Sequence, residues 1–355
     1  MRKELLLVAS LVACASPSPA PPASAYAQPQ PQPYGVPPPG GPSPQPAPQP
    51  APQPAPQYGQ PYPQPAPGPG PRSYPQPAPA PLPPAPVQRP LLPPLAGAAA
   101  WQAEARAVLA EIIQHLDPSD AAKVQGVPLV FDPDPTEVNA FASCTKQGSP
   151  FIAGTEGLLE AIDGIAQTQA TDDLYGTRTY DAYTSQVLPR LAQSKGSPAL
   201  PPGIVADAQY ANPVRLSHAH ELFDEIVAFT FGHELAHHYR GHTGCANGAQ
   251  AGGLLDWNDA RRALSVLPVV SQSMEIEADS FGAVSTLVAG RARLPLYRWT
   301  ERGGLSLLDF FARLERAAGL TPLNPIGFLL THPNPAVRIP IVQNVARVWY
   351  LTHPG

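Results

Sequence analysis

Proline decides how much of this chain can fold. Of its 52 prolines, 34 fall between Pro17 and Pro94, in runs such as PQPAPQPAPQPAPQ. Each proline fixes φ and removes a backbone donor, so neither a helix nor a sheet ladder can be sustained there. The same stretch has Arg72 and Arg89 as its only charged side chains and almost no aliphatic ones. It cannot bury enough apolar surface to offset the entropy of ordering. Residues 15–96 are therefore expected to be a disordered spacer, locally in polyproline II. About 80 residues at roughly 3.1 Å each give a reach of about 250 Å. Recognition by a proline-binding module is the alternative, and it rests on composition alone.

What remains, 97–355 of 355 residues, has room for one sizeable domain. A formal net charge of −5 and a pI near 6.0 argue against a nucleic-acid partner. The first residues, MRKELLLVASLVAC, combine basic Arg2 and Lys3 with an apolar run from Leu5 to Ala13, too short to span a bilayer. This segment, 1–14, resembles a bacterial lipoprotein signal with the lipobox Leu11-Val12-Ala13-Cys14. That resemblance implies a lipid anchor on Cys14. No aspartate follows Cys14, which implies the outer membrane, facing the periplasm. An ordinary secretory signal cut after Ala15 or Ala25 is the other reading. No later stretch is long and apolar enough to span, so the expected location is the cell envelope, or outside the cell if secreted. In such an oxidising compartment Cys144 and Cys245 can pair, or both can stay as buried thiols, and sequence leaves this open.

Periodicity then predicts a helix over 98–116 and a strand over 127–131. A hairpin (138–144 and 149–154) and a helix over 154–167 follow. Residues 170–217, with five prolines, read as irregular except for a possible helix over 180–192. Helices are expected again at 219–241, 270–290, 303–318 and 335–350. Early strands and late helices indicate an α+β domain, mostly helical with a small sheet.

The chemistry is concentrated in FGHELAHHYRGH, residues 231–242. Residues four apart share a helix face, so His233 and His237 can aim two imidazoles at one point. Glu234 stands beside them as a general base, which is the HExxH arrangement for zinc. His238 lies about 100° around the helix from His237 and reads as a surface residue. His242 reads as structural or as a support to a ligand. His218 and His220 show no partner in sequence.

Two histidines leave zinc short of a third protein ligand. The metzincin pattern fails, because Arg240 and Thr243 stand where it needs glycine and histidine. At thermolysin-like spacing the residue is Trp257, with the shorter acid Asp256 one position earlier. In SMEIEADSFGA, Glu275 and Asp279 are four apart on a predicted helix and face the same way. One can bind the metal while the other supports a liganding histidine. Glu275 is the better ligand and Asp279 the support. Glu277, rotated about 200°, faces away.

With these residues in place, the chain resembles the HtpX and CAAX-prenyl-protease-like family of zinc metallopeptidases, closest to its periplasmic BepA and LoiP members. HELAHHYRGH and EIEAD carry the resemblance, with Asn139-Ala140-Phe141-Ala142, Gly157-Leu158-Leu159 and Thr331-His332-Pro333 followed by Arg338. Together these motifs span 139–338. The family's glycine-rich turn is replaced here by SCTKQGS. The resemblance implies a zincin-like domain holding one zinc ion, with His332 and Arg338 near the reacting carbonyl. It also implies polypeptide substrates that add as a strand along the 138–154 hairpin. The expected activity is an envelope endopeptidase acting on unfolded or misassembled proteins. The alternative is a chaperone or assembly factor with a largely latent site.

Overall fold

Asn212-Pro213 starts the longest helix of the domain. The Asn212 side chain accepts from the backbone N–H groups of Val214 and Arg215, and Pro213 occupies the first helical position, where no donor is needed. The computed structural model describes residues 90–193, 196–246, 271–296, 298–319, 332 and 335–354, all within one unit, Ala80–Gly355. Cys14, the prolines before Pro90, Asp256, Thr331 and Pro333 lie outside the described residues.

In chain order the helices are α1 (Ala98–His115), α2 (Pro118–Val124), α3 (Glu156–Tyr175), α4 (Thr179–Leu191), α5 (Asp207–Tyr210), α6 (Pro213–Tyr239), α7 (Gln272–Ala292), α8 (Arg302–Ala318) and α9 (Pro335–Thr352). The strands are β1 (Leu129–Asp132), β2 (Ala140–Cys144) and β3 (Pro150–Thr155). They form one sheet in the order β1-β3-β2, parallel between β1 and β3 and antiparallel between β2 and β3. The domain is thus α+β and mostly helical, as expected.

α6 is the axis of the domain and packs against α1, α2, α3, α7, α8 and the sheet. Every residue from Leu222 to Tyr239 is buried, so this part of α6 is a core helix with no solvent-facing stripe. It also begins six residues earlier than expected, which brings His218 inside it.

Two further differences have local causes. α2 is a short helix that Asp117 caps by accepting from Ser119 N–H, with Pro118 at its first position. Asp117-Pro118 therefore starts a helix as well as ending α1. α3 runs on to Tyr175, past the predicted end at 167, and stops only at Gly176, which has a left-handed φ of 65°. Segment 170–217 is accordingly more helical than its prolines suggest.

The disulfide is made: Cys144, at the end of β2, is bonded to Cys245, with Cα atoms 6.1 Å apart. Closing a loop with a separation of 101 residues contributes about 4–5 kcal/mol in the chain-entropy account. It also ties the edge strand to the turn that follows α6.

α6 and α7 meet through small residues. A Cβ added to Gly282 would lie 2.8 Å from the backbone N of His233 and 2.9 Å from its Cα. Replacing Gly282 by alanine is expected to cost about 1–3 kcal/mol by overpacking. The change should lower the denaturant midpoint and weaken metal binding together, since α7 carries Glu275 and Asp279. An unchanged midpoint would show that the two helices can separate at no cost.

Candidate metal centre

α6 and α7 together build the centre. His233 and His237 project from the same face of α6, and their Nε2 atoms lie 3.1 Å apart. α7 starts at Ser271, whose hydroxyl accepts from Met274 N–H, and this cap places Glu275 in the first turn. The Glu275 carboxylate reaches 3.2 Å from His237 Nε2 and 3.5 Å from His233 Nε2. His332 brings Nδ1 to 2.8 Å from Glu275 and 3.3 Å from His233 Nε2. All four side chains are buried, and these four can hold a metal ion.

The partners of each ring decide which nitrogen faces the centre. His233 Nδ1–H donates to Asp279, 3.0 Å away, so its Nε2 lone pair points inward. His332 Nε2–H donates to the carbonyl of Ala140 at 3.0 Å, leaving its Nδ1 inward. His237 Nδ1 is 3.0 Å from His242 Nδ1, and His242 Nε2 is 3.2 Å from Glu277. The chain His237 Nδ1–H to His242 and His242 Nε2–H to Glu277 leaves the His237 Nε2 lone pair inward as well. Three ring nitrogens and a carboxylate thus converge, a donor set that needs positive charge among them. Glu275 Oε1 is buried and makes no hydrogen bond. Ligand atoms about 2.0–2.2 Å from a tetrahedral ion lie about 3.3–3.6 Å apart, close to the separations found here. The residues fit a metal ion.

Electrostatics point the same way. Burial opposes charge on His233, yet its hydrogen bonds to Asp279 and Glu275 raise it to about 9. Burial, together with the neighbouring His233 and His332, pulls His237 down to about 3 despite its contact with Glu275. Burial also opposes charge on Glu275, but His332 and the other two histidines hold its carboxyl well below the usual range. The acids thus favour positive charge at His233, while His237 stays a neutral donor.

Glu234 sits beside this cluster, with Oε1 3.3 Å from His332 Nε2 and a buried Oε2 that makes no hydrogen bond. Burial raises its carboxyl above the ordinary value. Arg338 lies behind the acids. Its Nε and Nη2 grip Asp279 at 2.7 and 2.6 Å, and Nη1 is 3.0 Å from Glu275. It is buried, so its contacts are those of a group that orients the acids.

The structure brings together every predicted site residue: His233, Glu234, His237, Glu275, Asp279, His332 and Arg338. Glu277 faces away from the centre, as its rotation on the helix requires, but reaches it through His242. Gly241 makes this possible: its φ of 83° reverses the chain after α6 and folds His242 back over His237. A glycine just after the last helical residue was the available signal. His238 is a correction. It is fully buried, its Nε2 is 2.9 Å from the carbonyl of Phe151 and its Nδ1 2.9 Å from Thr243 Oγ1. Burial pulls it down to about 4, so it is a neutral strut between α6 and β3. His218 and His220 are partnered too, His218 by Asp173 and Glu221.

No protein-family model, curated protein or solved structure matches this chain.

Proposed function

We propose that this protein is a zinc-dependent endopeptidase with a zincin-like domain. The observation that supports this most is the meeting of the His233–His237 pair with Glu275 from a second helix, beside the unpartnered oxygen of Glu234. His233, His237 and Glu275 would hold the zinc, with Asp279 orienting His233. The ion, when bound, supplies Lewis acidity that polarises a carbonyl and makes water acidic. Glu234 takes the proton of the attacking water and returns it to the leaving amine. Its raised pKa suits both halves of that transfer. Arg338 keeps the acids in register, and His332 stands where its inward Nδ1, once it carries a proton, can donate to a developing oxyanion. β2 is an edge strand of the described sheet, next to the centre, and offers an extended polypeptide a line of backbone pairing.

A second reading is favoured by one contact. His332 supplies a fourth inward donor, and four protein donors close a zinc site where catalysis needs an open position. A latent site in a chaperone or assembly factor would look like this. The full chain with zinc is expected to cut casein or an unfolded outer-membrane protein, and a chelator should abolish the cut. His332→Ala sorts the readings: a rise in cleavage marks His332 as a latch, and a fall marks it as a transition-state donor. No cleavage by either protein would leave the chaperone reading in possession.

The lipobox supports a location in the cell envelope, with the lipid on Cys14 as anchor and the prolines as spacer. Cys14→Ser is expected to move the protein from the membrane fraction to the soluble one without altering its thermal unfolding. Retention on membranes after a salt wash would sink the anchor.

A further inference from the structure

α6 carries a second pair of chemically suited residues four apart, His220 and Asp224. The pair lies thirteen residues before His233 and His237, about 20 Å along the axis and turned by about 220°, so it faces nearly the opposite way. There it meets Glu104 of α1. His220 Nδ1–H donates to the carbonyl of Pro93 at 2.6 Å, which fixes the tautomer and presents the Nε2 lone pair to the two acids. From that Nε2, Glu104 Oε1 is 3.5 Å away and Asp224 Oδ1 is also 3.5 Å away.

These distances are long for hydrogen bonds between charged groups, which favour about 2.7–2.9 Å. They match the roughly 3.4 Å that separates ligand atoms around a tetrahedral ion at about 2.1 Å. A second observation points to a ligand. Asp224 is 2 % exposed and its Oδ1, aimed into this gap, makes no hydrogen bond. Charge completes the case. Arg293 is gripped by both oxygens of Glu111 at 2.7 and 2.5 Å, and only a 3.3 Å contact reaches Asp224 Oδ2. Glu104, Glu111 and Asp224 share the single guanidinium of Arg293, so this pocket favours an added cation. That cation is a metal ion or a proton on His220, where burial opposes charge but the two acids raise the pKa.

We propose that Glu104, His220 and Asp224 form a second divalent-cation site, taking zinc or a similar transition-metal ion through one imidazole nitrogen and two carboxylates. The ion staples α1 and the segment at Pro93 to the N-terminal half of α6. Glu104 is the one half-buried ligand, with 27 % of its side chain exposed, and it gives the ion access from solvent. The role is structural: among the described residues no general base stands beside this site as Glu234 does beside the other.

Zinc itself is the probe, and the full-length chain is the sample. After metal removal and equilibration with zinc, wild type is expected to hold two ions per chain, and His233→Ala/His237→Ala one. Adding Glu104→Gln or Asp224→Asn to that double variant should weaken the remaining ion by more than the roughly 100-fold typical of a supporting residue. Zinc should also raise the melting temperature of the double variant, and either added change should remove that rise. Unaltered zinc binding in both triple variants would overturn the proposal and leave an ion pair of protonated His220 with its two acids. Glu104 lies on the surface side of α1, so its variant carries the test if Asp224→Asn does not fold. The double variant also keeps this result separate from the reading of the first centre.

Discussion

Glu234→Gln is expected to keep its zinc and lose peptide-bond cleavage by about 10²- to 10⁴-fold, the usual worth of a positioned general base. The substitution is close to isosteric, and the oxygen it alters, Oε2, makes no hydrogen bond in the fold. Glu234 is no member of the inward-facing donor set of His233, His237, Glu275 and His332, so metal content should not follow activity down. The loss should fall on kcat, since the proton is transferred only at the transition state. Undiminished cleavage by the variant would remove Glu234 from its role. Loss of zinc along with activity would make it a ligand instead.

Glu275 is expected to matter to the metal rather than to the proton. Glu275→Ala should lose zinc outright, because the carboxylate is the only anionic donor within 3.5 Å of both His237 and His233 among the described residues. Asp279 touches His233 Nδ1 and not the centre, so Asp279→Ala should weaken zinc by about 10- to 100-fold. Removing Asp279 also strips Arg338 of its bidentate partner, and breaking a buried ion pair costs about 3–5 kcal/mol. Asp279→Asn, which keeps an acceptor for His233, separates the two effects: it should bind zinc weakly yet melt nearer to wild type. Asp256→Ala should match wild type in both respects. Isothermal titration with zinc reads the series, and retention of zinc by Glu275→Ala would send the search for a third ligand elsewhere.

Most of the centre was legible because helices convert spacing into direction. Four-residue spacing put His233 with His237 and Glu275 with Asp279 on common faces, and about 200° of rotation turned Glu277 away. The same reasoning failed at His238. A rotation angle says which way a side chain points, and it does not say whether solvent is there. β3 lies on that side, so His238 became a buried strut on the Phe151 carbonyl.

Composition and local periodicity thus determined the mostly helical domain, its HExxH helix and the acid pair that faces it. These features depend on residues within a turn or two of each other, where geometry is set by the backbone. Packing decided the rest. Gly282 allows α7 close enough to α6 for Glu275 to reach both histidines, and Gly241 turns His242 back onto His237. Only the folded chain brings His332 to a donor position, Arg338 behind the acids, Cys144 to Cys245 and Glu104 to His220. Each of those pairings joins distant segments, and the direction in which distant segments meet is set by the whole core, not by any one stretch of sequence.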